Sequence, residues 1–493
     1  MTIRDLQPKI VWDNFYGITR QPRPSKHEEK IRAWLLDWAK QRNIEAFADE
    51  TGNVIMRKPA TPGMENLKGV IMQGHMDMVP QKNADVKHDF ENDPIETWVD
   101  GDWLKAKGTT LGADNGLGVA LALSVLESDD IKHGPLELLV TYDEETSMTG
   151  ANSLKPGVLK GEILLNIDSE TEGELYIGCA GGLDATITGK YERKPEPNGW
   201  LCYSLAVKGF QGGHSGMDIN LCRANANKVA ARVLYALLTK ADVKLIDLEG
   251  GTLHNAIPRE CFATVYVAPD KVELAKQIVA DVFADVKVEY AVTDPNCNYI
   301  FEPYKCAPGE ICDPEDCLYV EENTALRFIR AILVCPDGVE RMSDQMPGLV
   351  ETSNNMAVVK IYKGQFDILS LLRSSVDSER DLMALRLRSV AELAGCSIEY
   401  SDGYSGWAPN AESPILKVMQ QVYKNMFGAE PKVMAIHAGL ECGILSGTYP
   451  NWDMVSFGPT LLSPHSPDER CYIPSVQKIW DYLKAVLAAI PAQ

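Results

Sequence analysis

GVIMQGHMDMVP, residues 69–80, decides how the rest of this chain is read. Its first half is an unbroken apolar run, the pattern of a short strand buried on both faces. Its second half sets His75 and Asp77 two residues apart, and side chains at i and i+2 of an extended strand point to the same face. An imidazole and a carboxylate are thus aimed at one spot beyond the end of a buried strand. An H-x-D on its own is more often a hydrogen-bonded core histidine, so its meaning depends on what else converges there.

Working outward, apolar runs of strand length alternate with helical stretches up to about residue 180: NVIMR (53–57), then GLGVALALSVLES as a helix, LELLVTYDEE (136–145) and EILLNIDSE (162–170). That alternation predicts an α/β domain with a mostly parallel sheet. From about Asp184 the style changes. Two-period segments such as CYSLAVKGF and CFATVYVAP surround long helical patterns, as in an antiparallel sheet with helices on one face. After GWAPNAESP (406–414) the first style returns. The expected organisation is one α/β domain from residues 1–184 and 404–493, with an α+β domain, 185–403, inserted into it.

Composition narrows the function classes. The chain has 493 residues, with 48 Lys plus Arg against 69 Asp plus Glu, a formal charge of -21. Such a surface repels polyphosphates and anionic lipid, so no nucleic-acid or membrane partner is expected. The start has no secretion-signal pattern, and GVALALSVL (118–126) is too short to span a bilayer, which together predict a cytoplasmic protein. The twelve cysteines are read as free thiols. Cys297, Cys306, Cys312 and Cys317 lie close together but form no C-x-x-C pair, and an irregular surface loop is expected there rather than a metal.

The chemistry gathers at strand ends. His75 and Asp77 follow GVIMQG, Glu144 and Glu145 follow LELLVTYD, Asp168 follows EILLNI, and His465 lies in the loop after DMVSFGP. In open α/β sheets the ligand crevice lies outside the carboxyl ends of the strands. Asp114, in the glycine-bracketed turn TTLGADNGLG (109–118), adds a further carboxylate. Imidazole plus carboxylate is the donor mix of zinc, and of cobalt or manganese. Three carboxylates and a hydroxide neutralise two divalent ions and exceed what one needs, so a metal pair is expected. Glu144 and Glu145, as neighbours on an extended backbone, would point in different directions, one toward metal and one toward proton transfer. His27, His88, His133 and His254 have no partners at ligand spacing and receive no role.

Together, GHMDMVP, TTLGADNGLG, YDEETSMTGA, NIDSE, FQGGHSG, GGTLHNAIP, HAGLECG and SPHSPDER resemble the di-zinc aminopeptidase and deacylase family that includes carnosinases and aminoacylases. The resemblance runs over nearly the whole chain. HAGLECG (437–443) differs from the deacylases' usual motif and resembles the aminoacyl-histidine dipeptidase branch. The resemblance implies a zinc-peptidase catalytic domain with an inserted lid and dimerisation domain. It implies that His75 and Asp168 hold one Zn2+, Glu145 and His465 the other, and that Asp114 bridges them, with Co2+ or Mn2+ as possible substitutes. Glu144 would be the general base, Asp77 would orient His75, and the peptide bond after Asp114 would be cis.

From the inserted domain, the resemblance makes His214 the oxyanion donor, often reaching in from a neighbouring subunit, and puts Asn255 and Arg373 on substrate. Read from residues alone, His214 could be a turn histidine packing its own domain, and Arg373 a strand arginine on a solvated face. The loop with Gly439 and Glu441 would help bind one dipeptide terminus, or Glu441 could be structural. The activity implied is hydrolysis of L-aminoacyl-L-amino acids, including Xaa-His dipeptides such as β-alanyl-histidine, by a homodimer. The alternatives are an N-acyl-amino-acid deacylase or tripeptidase, and an inactive metal-binding module; against the last stands the presence of Glu144 and all the ligand positions.

Overall fold

The computed structural model describes residues 2–304, 317–401 and 403–492. The chain divides into two compact units, the first comprising Met1–Cys179, Trp407–Ala435 and Leu440–Gln493, the second Ala180–Gly406 and Ile436–Gly439. The short return of Ile436–Gly439 to the second unit has no mark in the sequence. Of the clustered cysteines, Cys306 and Cys312 lie outside the described residues, and every described cysteine is a free thiol. No helix among the described residues is long and apolar enough to cross a membrane.

The first unit is built on an eight-stranded sheet whose strands, in chain order, are β1 (Glu45–Ala48), β2 (Val54–Lys58), β3 (Val70–His75), β4 (Leu136–Thr141), β5 (Ile163–Asn166), β6 (Glu174–Cys179), β7 (Lys432–Ile436) and β8 (Asp453–Ser456). Their spatial order is β1-β2-β4-β3-β5-β8-β6-β7. The centre, β4-β3-β5-β8, is parallel. The flanks are not: β1 to β2, β2 to β4 and β8 to β6 run antiparallel. Every residue of β3, β4 and β5 is buried, which is why these strands read as continuous apolar runs rather than alternating ones. Each fully buried Val, Ile or Leu there contributes roughly 1.5–3 kcal/mol relative to exposure.

The helix Ala113–Glu127 packs against β3 and the helix Lys9–Thr19, and it is buried almost all round, so it shows no polar stripe. A second, four-stranded antiparallel sheet joins Thr97–Asp100 and Trp103–Ala106 to Leu461–Leu462 and Arg470–Tyr472. The last pair brackets the loop that carries His465.

The second unit is an antiparallel sheet running from Asn298–Pro303 through Leu201–Lys208, Cys261–Val267, Lys244–Gly250, Val350–Tyr362, Gln365–Ser374 and Gly181–Lys190 to Ser397–Tyr400. Leu201–Lys208 alternates between buried and partly exposed positions, as an antiparallel strand covered on one face should. Its inward residues share one core with the helices Ala226–Lys240, Val272–Glu289, Glu322–Val334 and Asp377–Ala394. Asn225 caps the first of these by accepting the backbone N–H groups of Asn227 and Lys228.

Candidate metal centre

His75 is the last residue of β3, and its ring stands between carboxylates. Its Nδ1 lies 3.2 Å from Asp77 Oδ1, while Nε2 faces Asp114 Oδ1 at 3.1 Å, Asp168 Oδ1 at 3.4 Å and Glu144 Oε2 at 3.9 Å. Asp77 therefore faces the Nδ1 side of the ring and leaves the Nε2 lone pair for the centre. His465 makes the complementary set: its Nε2 is 3.1 Å from Asp114 Oδ2 and 3.0 Å from Glu145 Oε2. The two oxygens of Asp114 thus face two different imidazoles. His75 and Asp168 lie on one side of it, Glu145 and His465 on the other.

Asp77 does more than the spacing suggested. It is fully buried, and besides facing His75 it accepts the backbone N–H groups of Glu144 and Glu145, each at 3.1 Å, and the Ser25 hydroxyl at 2.8 Å. The strand end that carries the histidine therefore also holds the turn that carries the two glutamates. That turn is not extended. Glu144–Ser147 is one helical turn entered through Asp143 at φ 52, so the glutamates diverge by helical spacing rather than by a strand pleat.

The position of Asp114 is equally built. The Asp114–Asn115 peptide is cis, as the resemblance implies. The Asn115 side chain accepts the His75 N–H and donates to the Ile167 carbonyl at 2.6 Å, stitching β3 to the segment just before Asp168. This stitch needs glycine on both sides. A Cβ at Gly74 would sit 2.1 Å from Asn115 Oδ1, and one at Gly118 would sit 2.0 Å from the Ile167 oxygen.

Electrostatics tests whether cations fit here. Burial alone would lower the His75 pKa, yet Asp168, Asp114 and Asp77 drive it well above the ordinary value. Hydrogen bonds to Asp114 and Glu145 push His465 up to about 11. Burial raises Glu144, Glu145 and Asp168, with the neighbouring carboxylates adding to it. Glu145 Oε1 and Asp168 Oδ1 are buried and accept no hydrogen bond. Oxygen and imidazole donors converging with unsatisfied acceptors are what divalent ions such as Zn2+ take, so the residues fit a metal pair.

The remaining expected residues divide. In the second unit, His214 Nδ1 accepts the N–H groups of Gly216 and Met217 at 3.1 Å, which puts the ring proton on Nε2. Burial, with Arg373 nearby, lowers its pKa, keeping it neutral. Arg373 is buried rather than on a solvated face, and its Nε donates to Ser215 Oγ at 3.3 Å. Asn255 is exposed, and its carbonyl accepts the Ser215 N–H. These three meet around the 214–216 turn. Gly439 also belongs to this unit.

Glu441 belongs to the first unit, and its Oε1 has no hydrogen-bond partner among the described residues. The side chain is fully buried, and its Oε2 is taken by Gln73 and Thr141, both at 2.6 Å. Three buried residues escape the sequence reading altogether: Glu28, which accepts the Asp143 N–H, and Arg23 and Glu469, which grip the Asp114 loop. Only Glu469 had a signal, its place in SPHSPDER.

The model of peptidase family M20/M25/M40 matches residues 71–489. The chain is 44% identical over 491 residues to the cytosol non-specific dipeptidase of Escherichia coli (strain K12), covering 100% of this chain and 99% of that one. The crystal structure of aminoacylhistidine dipeptidase from Vibrio alginolyticus superposes with a TM-score of 0.94 at 46% identity, covering 100% and 99% of the two chains. Aminopeptidase PepT from Bacillus cereus shares the fold at 14% identity and a TM-score of 0.56, covering 98% and 99%. With its parallel-centred sheet and its convergent histidines and carboxylates, the chain belongs to peptidase family M20/M25/M40.

Proposed function

We propose that this chain is a metal-dependent dipeptidase that hydrolyses L-aminoacyl-L-amino acids, Xaa-His dipeptides such as β-alanyl-histidine among them. The observation that carries the reading is Asp114, whose two oxygens face His75 and His465 separately while Glu144 stands beside the same centre. The dipeptidases from Escherichia coli and Vibrio alginolyticus, similar over the full length, support the dipeptide as substrate. The working form is proposed to be a cytoplasmic homodimer, with the second unit serving as lid and dimerisation domain.

In this reading His75 and Asp168 would hold one Zn2+, Glu145 and His465 the other, with Asp114 placed to serve both. Divalent ions bound there supply Lewis acidity toward the scissile carbonyl and toward water. Glu144 takes the proton of the attacking water and passes it to the leaving amine, a task suited to a carboxylate that stands beside the same centre, 3.9 Å from His75 Nε2. Asp77 keeps His75 in the Nδ1–H tautomer and fixes the backbone of Glu144. His214, with its proton held on Nε2, is the donor assigned to the tetrahedral oxyanion, a role worth about 10²–10³ in kcat. Asn255, Arg373 and Gly439 are assigned to substrate contact on the strength of their motifs.

The test is a substrate panel: β-alanyl-histidine, Gly-His, Ala-Ala, an N-acetyl amino acid and a tripeptide, each with metal-stripped and zinc-reloaded protein. The account expects cleavage of the unblocked dipeptides only, and only with metal. Cleavage of the N-acetyl compound would assign a deacylase instead, and cleavage of the tripeptide alone a tripeptidase.

A further inference from the structure

The helix Ala113–Glu127 begins without a capping side chain of its own, at Gly112 in the left-handed region with φ 68. The first backbone N–H groups of any helix need acceptors from elsewhere. The backbone is not helical at Asp114 and Asn115, so the groups in need here are the N–H groups of the entering loop, residues 111–114, and they find a single distant acceptor. Glu469 Oε2 accepts from Leu111 at 2.7 Å and Gly112 at 2.9 Å, and its Oε1 accepts from Ala113 at 2.8 Å and Asp114 at 3.2 Å. Both oxygens are used twice, and the side chain is 2% exposed. Glu469 follows His465 in the same loop, so its grip on residues 111–114 joins the segments bearing His465 and Asp114.

Arg23 grips the same loop from its carbonyl side. Its guanidinium is 2% exposed and donates to the Gly112 oxygen, to the Met76 oxygen at 3.0 Å and to the Asp77 oxygen at 2.7 Å. A planar fork is required for three carbonyls on two segments, since a single ammonium centre cannot match their spread. The fit leaves no room for a side chain on the loop: a Cβ at Gly112 would lie 2.5 Å from Arg23 Nη2, and one at Gly116 2.7 Å from the same atom.

We propose that Glu469 and Arg23 are positioning residues for the metal centre. Glu469 fixes the Asp114 loop to the His465 loop, and Arg23 fixes the Asp114 loop to the end of β3 that carries His75 and Asp77. The proposal rests on the reading of the centre as a metal site. Groups that orient ligands in this way govern affinity, and their loss costs about 10–100-fold in metal binding. A glutamine at 469 keeps one acceptor oxygen and turns an N–H2 group toward two backbone N–H donors, so it breaks half of the grip at nearly constant volume.

Metal-stripped wild type and Glu469→Gln are titrated with Zn2+ against a chromophoric chelator, with the visible spectrum of the Co2+-loaded proteins and thermal unfolding of the metal-free ones alongside. The expected result is a ~10–100-fold loss of Zn2+ affinity and an altered Co2+ spectrum. Unchanged affinity and spectrum in a folded Glu469→Gln, even with a lower melting temperature, would reduce the residue to a plain brace of the loop and overturn the proposal. Should Glu469→Gln not fold, Arg23→Lys is read the same way, with the same loss expected and the same unchanged affinity counting against the frame. A wild type that binds no Zn2+ would instead remove the metal reading itself.

Discussion

Asp77 faces the His75 ring at 3.2 Å and accepts hydrogen bonds from the backbone of both glutamates and from Ser25, which in the proposed reading makes it the hinge between metal binding and proton transfer. Asp77→Ala should therefore lower Zn2+ affinity by about 10–100-fold and also depress kcat when zinc is saturating, because Glu144 loses its backbone anchor. A variant with weakened affinity but full kcat at saturation would limit Asp77 to orienting the ring. Glu28 gives a pH signature. Burial, with Asp77 nearby, pushes its carboxyl from 4.5 up to about 7. Its folded pKa is raised, so the native state binds more protons than the unfolded state between those values, and stability falls as pH rises through that window. The gap is worth roughly 3 kcal/mol. In the metal-free protein, Glu28→Gln should gain on wild type by about that amount between pH 4 and pH 8 in urea unfolding; a constant difference would contradict the assignment. At this scale the H-x-D pair was legible because strand spacing alone fixes a shared face. Arg23 was not, because its partners are backbone carbonyls distant in sequence, which no residue type announces.

The helix behind Asp114 is where element and site meet. Gly118 lies inside it, and replacing an interior glycine by alanine ordinarily favours a helix by about 1 kcal/mol. Here the added methyl would stand 2.0 Å from the Ile167 carbonyl, immediately before Asp168. Gly118→Ala should destabilise the protein by about 1–3 kcal/mol and weaken metal binding, the opposite of its helix propensity. Urea unfolding with a zinc titration checks both, and a more stable variant would contradict the packing account. The central strands were legible for a related reason: burial on both faces writes itself as an unbroken apolar run in β3, β4 and β5. The antiparallel flanks were not, since a strand of mixed burial such as β1 carries no sign of its neighbour's direction. The one-turn helix at Glu144 was hidden too, because it is set by the left-handed Asp143 and by Asp77 accepting its first N–H groups.

For the whole molecule, all five proposed ligands belong to the first unit, so bound metal should stabilise that unit by mass action, by about 2.7 kcal/mol at a hundredfold excess over Kd. Adding a strong chelator should lower the melting temperature of wild type and leave that of Asp114→Ala almost unmoved; equal shifts in both would place the stabilising ion elsewhere. The division into two styles of sequence was readable because a parallel core and a one-faced antiparallel sheet demand different apolar periods. The return of Ile436–Gly439 was not, since four residues carry no period. The central claim, that metal and Glu144 together cleave a dipeptide, is tested most directly by β-alanyl-histidine hydrolysis with zinc counted in the same samples. Stripped wild type should be inactive and reloaded wild type active, while reloaded Glu144→Ala should hold the same zinc and turn over about 10²–10⁴-fold more slowly. Full activity in the stripped protein, or an undiminished rate in Glu144→Ala, would contradict it.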